Sequence, residues 1–166
     1  MIIEFKNNIK NTADIMEIDR TNPYNVAALL PYCLSFYKKD DDKEFYNSLE
    51  YLMGEFNKPS NLLKQNIKDR MMQNSKYEFI GASYFYGATP QNNYTPDNPL
   101  KVEVFENIYS KTEEGYIRLL LKSGGADSLR RVTLRKAKDN NYYLWSDSIL
   151  SLLADIRPRE SDNPWA

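Results

Sequence analysis

Tyrosine, asparagine and proline side chains are concentrated in one stretch of the chain, the segment from Gly87 to Pro99 (loop 87–99). A connection of this length in a compact domain is usually either functional or disordered, and its prolines restrict the backbone. Phenol rings and amides are typical of contact surfaces, because they combine flat apolar area with hydrogen-bonding atoms. The residues that we interpret as a candidate contact surface are Tyr84, Tyr86, Asn92, Asn93 and Tyr94. The alternative is that the loop packs over one end of a sheet and covers it.

Basic residues are concentrated between positions 116 and 138, where seven lysines and arginines accompany a single acid. Strand alternation predicts Arg118 on the same sheet face as Arg131 and Arg135. Such a face is able to hold an anion or a carboxylate, and we expect Arg118 and Arg131 to take that role. The alternative is a solvated face with cross-strand pairs such as Glu103 with Arg118. Nucleic-acid binding is the weaker hypothesis, because aromatic residues do not interleave with these charges along the sequence.

Several catalytic chemistries are excluded by composition, since the chain has no histidine and only one cysteine, Cys33. Ser–His–Asp and Cys–His groups, internal disulfides and Cys/His zinc sites are therefore ruled out, and we expect no metal and no cofactor. The apolar neighbours of Cys33 predict a buried, unreactive thiol. The enzymatic alternative is a small carboxylate-dependent enzyme with a sheet-lined pocket, acting on a sugar or another polar metabolite through acids such as Glu78, Glu103 or Asp147.

The first half of the chain has the apolar spacing of amphipathic helices. One helix is predicted to begin at Asn22-Pro23, with Asn as the N-cap and Pro in the first helical position. A second is predicted from Asp41, with Glu44 completing a capping box, and a third from Ser60. A short edge strand with Ile2, Ile3 and Phe5 and a helical turn from Asp14 to Asp19 are predicted before them.

After Lys76 the apolar period changes to that of strands. The predicted strands are 77–86, 100–106, 116–122, 129–138 and 142–146, followed by a short C-terminal helix. This order predicts a single α+β domain over residues 1–166, in which about three N-terminal helices pack on a C-terminal antiparallel sheet of four to five strands. Within it, 23–72 is the helical half, 77–146 the sheet and 157–166 a polar tail.

Three motifs carry a resemblance to a known family: SYFYGATPQNNYTP at 83–96, KSGGADS at 122–128, and IRP at 156–158 with DNPW at 162–165. Together they resemble an uncharacterised bacterial domain family with no assigned function, over roughly residues 12–166. The resemblance implies no activity and no catalytic residue. In layout alone the chain is also similar to NTF2-like and cystatin-like folds, whose enzymes often use a His–Asp dyad. Since this chain lacks histidine, that likeness implies a binding member.

These observations favour a non-catalytic binding or protein-interaction domain over an enzyme. The expected partner is a protein or a small polar ligand, bound by loop 87–99 and the adjacent aromatic strand. The 22 basic and 23 acidic residues give a net charge of −1, which predicts no general attraction to nucleic acid or membranes. The start of the chain lacks a signal-peptide pattern, so we expect a cytoplasmic location unless a targeting segment has been removed.

Overall fold

Four α-helices form the first half of the chain, as described by a computed structural model that covers residues 1–166. They are α1 (Thr12–Met16), α2 (Pro23–Ser35), α3 (Lys43–Met53) and α4 (Asn61–Met72). The cap of α2 is confirmed, because the Asn22 side chain accepts a hydrogen bond from the Tyr24 N–H. The predicted capping box of α3 is wrong: α3 begins without a side-chain cap, and the Glu44 carboxylate accepts the Thr12 N–H instead.

Five strands form one antiparallel sheet in sequential order. They are β1 (Ile2–Ile3), β2 (Val102–Phe105), β3 (Tyr116–Leu121), β4 (Arg130–Lys136) and β5 (Tyr142–Leu144). The first strand pairs with β2, about a hundred residues later in the sequence, with Ile3 opposite Val102. The other three pairings are hairpin neighbours, as the alternating sequence pattern predicts. The α+β class and the antiparallel sheet are therefore confirmed.

The predicted strand over residues 77–86 is wrong. This segment forms 3-10 turns, at Gln73–Glu78 and Ala82–Tyr84, and contacts the sheet only through a bridge between Phe85 and Val102. Adjacent residues such as Phe79 and Ile80 are both buried, which a half-buried strand does not allow. Gly81 lies against the end of α2, where a Cβ atom would meet the Ser35 side chain and the Pro31 carbonyl. Close approach of two backbones, rather than strand pairing, therefore explains this glycine.

The core lies between α2 and one face of the sheet. Every residue of α2 from Val26 to Leu34 is buried, and α2 packs against β1, β2, β3 and β5. The inward side chains of the strands, including Val104, Leu119 and Leu134, belong to the same buried cluster. A 3-10 helix at Ser148–Leu153 closes the same layer from the C-terminal side. The opposite, outer face of the sheet carries exposed side chains of the strands, such as Arg131 and Arg135. The longest helix, α2, has 13 residues, and none combines the length and hydropathy that crossing a membrane requires.

The C-terminal segment is fixed by donors from α4 and from the 3-10 turns that follow it. Arg70 donates to the Leu150 carbonyl, Lys76 to the Leu153 carbonyl and the Tyr84 hydroxyl to the Leu152 carbonyl, at 2.9, 2.8 and 2.6 Å. Lys76 is almost fully buried, and burial lowers the pKa of its ammonium below the ordinary value. The segment that includes residues 76–84 is therefore a brace for the C-terminal chain rather than a sheet strand.

Candidate functional site

Two of the tyrosines predicted to form a contact surface are core residues. Tyr84 is 1% exposed and Tyr94 is 3% exposed. The Tyr94 ring stacks on Phe79 with the centroids 5.2 Å apart, and its hydroxyl donates to the Arg157 carbonyl at 2.5 Å. Burial raises the pKa of Tyr94 to about 12. Both rings are therefore unavailable to a partner, and they attach loop 87–99 to the domain.

Asn92 and Asn93 lie at the surface of loop 87–99, and Tyr86 lies at the surface immediately before it. Asn92 uses its amide inside the loop, where it accepts the Thr89 and Thr95 N–H groups and donates to the Gly87 carbonyl. Asn93 accepts the N–H of Ser161 in the C-terminal tail. These bonds order the loop and join it to the tail, which supports the covering alternative. The ring of Tyr86, 43% exposed, is the part of this set that stays open to solvent.

Arg118, Arg131 and Arg135 share the outer sheet face, as alternation predicts. In the β3–β4 register Tyr116 lies opposite Arg135, Arg118 opposite Thr133, and Leu120 opposite Arg131. The predicted pairing of Glu103 with Arg118 is wrong, because Arg118 forms its ion pair with Glu113 at 2.9 Å. Arg131 is exposed and makes no ion pair.

A groove with a volume of about 690 Å³ lies beside this face, between the chain that follows α3 and the β4–β5 hairpin. We call it the β4–β5 groove. Its lining residues are Met53, Gly54, Glu55, Phe56, Asn57, Arg135, Lys136, Ala137, Lys138, Asp139, Tyr143 and Trp145. Phe56 is fully exposed, at 105% of its reference area, and Trp145 and Tyr143 are half-buried. A smaller depression of about 320 Å³ continues on the other side of Tyr143.

Three contacts hold the two walls of the groove together. Gly54 ends α3 at a φ of +89°, and a Cβ atom there would lie 2.8 Å from the Tyr143 ring. Asn57 donates its amide N–H to the Leu144 carbonyl at 2.8 Å. The Arg20 guanidinium lies between the Tyr51 and Tyr143 rings, 4.0 and 4.8 Å from their centroids. The wall that carries Phe56 is therefore fixed to β5, although Phe56 itself contacts solvent.

Aromatic and cationic groups alternate in space at the groove, where Arg135 and Trp145 belong to the lining and Tyr116 lies next to them. The Arg135 guanidinium lies 4.4 Å from the Trp145 ring and 5.2 Å from the Tyr116 ring. Tyr116 and Trp145 meet edge to face with their centroids 6.0 Å apart. The backbone N–H of Trp145 donates to the Thr133 carbonyl, which places this residue beside β4. The result is a layered set of planar groups on β3, on β4 and at the residue that follows β5.

The acids that sequence reasoning considered for catalysis are spread over the molecule. Glu78 pairs with Arg159 at 2.6 Å, Glu103 lies on β2 opposite Ile2, and Asp147 precedes the 3-10 helix at Ser148–Leu153. Asp139 borders the groove, but its carboxylate accepts the Tyr143 hydroxyl at 2.6 Å, and this bond lowers its pKa. No group of three or more His, Cys, Asp or Glu residues is placed to hold a metal ion.

Cys33 has the environment that its neighbours predict. It is fully buried on α2 and accepts a hydrogen bond from the Ser48 hydroxyl at 3.0 Å. Burial raises the pKa of the thiol to about 12, which removes the thiolate at neutral pH. The prediction that Cys33 is buried is confirmed.

Sequence reasoning included the basic residues of the β4–β5 groove in the 116–138 hairpin but missed its aromatic residues. Phe56 lies in a short turn and Trp145 in the last strand segment, about ninety positions apart, and only the fold brings them to one groove. The available signal was the period-2 pattern of 116–122 and 129–138, which predicts Tyr116 opposite Arg135 once the hairpin register is assumed.

Comparison with known proteins agrees with a domain that has no assigned activity. The family model described as a domain of unknown function, DUF6935, matches residues 4–160. The chain belongs to the DUF6935 family. The match spans α1 through the 3-10 helix at Ser148–Leu153, so the helical half, loop 87–99 and the groove walls all lie within the DUF6935 domain. No curated protein and no solved structure shows significant similarity to this DUF6935 chain.

Proposed function

We propose that this chain is a non-catalytic binding domain whose contact surface is the β4–β5 groove. The observation that carries the proposal is the exposure of Phe56, at 105%, on the rim of a groove that also presents Trp145. Exposed rings at a concave surface with convergent polar groups are typical of binding sites. Loop 87–99 then serves as a cover whose tyrosines stabilise the fold.

The arrangement of the groove fits recognition better than catalysis. Its cation Arg135 is held against aromatic rings and provides orientation and charge. The nearest carboxylates are already engaged: Glu55 with Lys58 at 3.3 Å, and Asp139 with the Tyr143 hydroxyl. A general acid–base pair needs two carboxyl groups that converge on a bound substrate, and these two are used in local contacts instead.

The location proposed for this activity is the cytoplasm. A single buried cysteine without a disulfide partner supports a reducing compartment. The partner proposed at this level is a protein or a polar ligand that offers planar or apolar groups to the rings and negative charge to the basic residues of the groove.

A thermal-shift titration of the whole chain tests the proposal. The probes are a single-stranded oligonucleotide of about 12 residues, an acidic peptide, a basic peptide and a neutral oligosaccharide. At least one probe is expected to raise the Tm of the unmodified protein, because a ligand that binds only the folded state stabilises it. Phe56→Ala should abolish that rise.

The matched control is Leu62→Ala, which removes an apolar side chain that is 72% exposed on α4, outside the β4–β5 groove. It should leave the ligand-induced rise unchanged. A series in which no probe shifts the Tm, or in which the shift survives Phe56→Ala, would show that the groove is not the contact surface.

A further inference from the structure

Around the β4–β5 groove the acidic side chains have partners within the chain, whereas several basic side chains have none. This difference indicates which kind of ligand the groove would bind under the proposed function. The acids of this surface have partners inside the chain: Glu55 pairs with Lys58, Glu113 with Arg118, and Asp139 accepts a tyrosine hydroxyl. Four exposed cations of the same surface form no ion pair. They are Arg131, Arg135, Lys136 and Lys138. The lining of the groove therefore has three cations against two carboxylates that already have partners, and Arg131 adds a fourth cation on β4, so this surface has an excess of positive charge on a protein whose net charge is −1.

The planar groups lie among these charges. Tyr116 on β3, Arg135 on β4 and Trp145 just after β5 form a layered set, and Phe56 belongs to the opposite wall. Aromatic faces and guanidinium planes are the surfaces on which unpaired nucleobases stack, and nearby lysines contact the phosphates. The sequence pattern argued against this chemistry because its aromatic and basic residues are not neighbours along the chain. The strand register makes them neighbours in space.

We infer that the β4–β5 groove binds single-stranded nucleic acid, an inference that rests on the proposed function. Bases stack on Trp145 and Phe56, while the phosphates contact Lys136, Lys138 and Arg131. An acidic peptide would satisfy the cations but leave the two exposed rings without planar partners. A duplex keeps its bases stacked inside, so it offers only phosphates. The groove volume of about 690 Å³ suits a few unstacked nucleotides.

Fluorescence anisotropy with end-labelled strands of about 12 residues tests the inference on the whole chain at low salt. The strands are oligothymidylate, oligouridylate and an abasic strand of equal length and charge. Because stacking carries much of the affinity, the abasic strand should bind at least about tenfold more weakly than oligothymidylate. The two base-containing strands distinguish DNA from RNA preference. Equal affinity for the abasic strand would overturn the inference, since the contact would then be electrostatic only.

Two pairs of variants separate the contribution of base stacking from that of phosphate contacts. Phe56→Ala should weaken oligothymidylate binding by about fivefold or more, whereas Leu62→Ala should leave it unchanged. Lys136→Gln with Lys138→Gln should reduce the slope of log affinity against log salt by about 1.4, because each phosphate contact contributes about 0.7 on a single strand. Lys39→Gln with Lys68→Gln removes the same charge at exposed positions elsewhere and should preserve the slope. Equal effects from both lysine pairs would contradict a local contact.

Tryptophan emission reports stacking directly. The chain has two tryptophans, so Trp165→Phe leaves Trp145 as the single indole. Oligothymidylate should quench this emission with the same midpoint as the anisotropy change, and binding without quenching would place the strand elsewhere.

The thermal-shift series distinguishes a failure of the nucleic-acid inference from a failure of the proposed binding function. If an acidic peptide or an oligosaccharide raises the Tm through Phe56 and oligonucleotides do not bind, the groove is a binding site for another ligand class and only the nucleic-acid inference fails. If no probe engages the groove, both fail.

Discussion

Loop 87–99 and the β4–β5 groove both carry aromatic residues, but they use them in opposite ways. In the loop, Tyr94 is buried by stacking on Phe79, and its hydroxyl donates to the Arg157 carbonyl of the C-terminal segment. In the groove, Phe56 contacts only solvent and Trp145 is half-exposed. The tyrosines of the loop therefore contribute to the stability of the fold, and the rings of the groove contribute little to it. Aromatic content alone does not identify a contact surface; the exposure of each ring does.

Replacing Tyr94 with Ala should produce the largest loss of stability. It removes a buried ring and leaves the Arg157 carbonyl without its donor, and such truncations cost about 3–5 kcal/mol. Urea unfolding followed by circular dichroism measures the change. Tyr86→Ala, at an exposed position of the same segment, should cost less than about 1 kcal/mol. A Tyr94 variant as stable as the Tyr86 variant would make the loop a surface feature after all.

Replacing Gly124 with Ala should be the next most damaging change on the loop side. A Cβ atom there would clash with the Ala88 carbonyl of loop 87–99, while the Gly124 N–H bonds the Ser83 carbonyl at 2.8 Å. Backbone must move, at a cost of about 1–3 kcal/mol in the free energy of unfolding. Gly115→Ala has open space around it and tests backbone strain alone, at about 1 kcal/mol, since its φ is +82°. If Gly115→Ala destabilised the protein more than Gly124→Ala, loop 87–99 would be only loosely attached to the domain.

Replacing Tyr94 with Phe should give a smaller, pH-dependent effect. At neutral pH the lost hydrogen bond costs about 1 kcal/mol or slightly more. The native pKa of Tyr94, raised to about 12, lies above its value in the unfolded chain, so the native state holds the proton longer. The stability that this phenol contributes is complete below about pH 10 and is lost as the pH rises toward 12.

The difference in unfolding free energy between the unmodified protein and Tyr94→Phe should therefore narrow above about pH 10, by at most about 1.4 kcal/mol per pH unit. Other buried tyrosines titrate in both proteins and cancel in the difference. A constant gap from pH 7 to the alkaline limit of folding would contradict the burial of this hydroxyl.

Replacing Phe56 with Ala should change stability least, within about 0.5 kcal/mol, because its ring makes no buried contact. The same change is expected to abolish ligand-induced stabilisation. Urea unfolding without ligand and thermal shift with ligand measure the two effects on one sample. A marked loss of stability without ligand would mean that the ring packs onto the domain in solution, and the contrast between the two regions would disappear.

Much of the fold was predictable because local and global signals agree. The apolar spacing of α2 to α4 and the alternation of β3 and β4 match their burial, and the Asn22 cap forms as expected. The segment 77–86 was mispredicted because its aromatic content resembles a strand. Its rings instead fill space between α2 and the C-terminal segment, where Gly81 permits close approach. Composition reports that such residues are buried, but only tertiary packing decides in which conformation.

The candidate site was less predictable than the fold. Alternation predicted Arg118, Arg131 and Arg135 on one face, and the register confirms it. The partners of these charges, and the convergence of Phe56 with Trp145, depend on how α3 ends at Gly54 and packs on Tyr143. Contacts between residues so distant in sequence follow from the complete fold and have no local signature.

Hydroxyl-radical footprinting of the free domain, read residue by residue by mass spectrometry, tests the central contrast most directly. The account predicts rapid oxidation of Phe56 and measurable oxidation of Trp145, with Tyr84 and Tyr94 protected as core residues are. Oxidation of Tyr84 and Tyr94 at rates comparable with Phe56, or protection of Phe56 in the free protein, would contradict it.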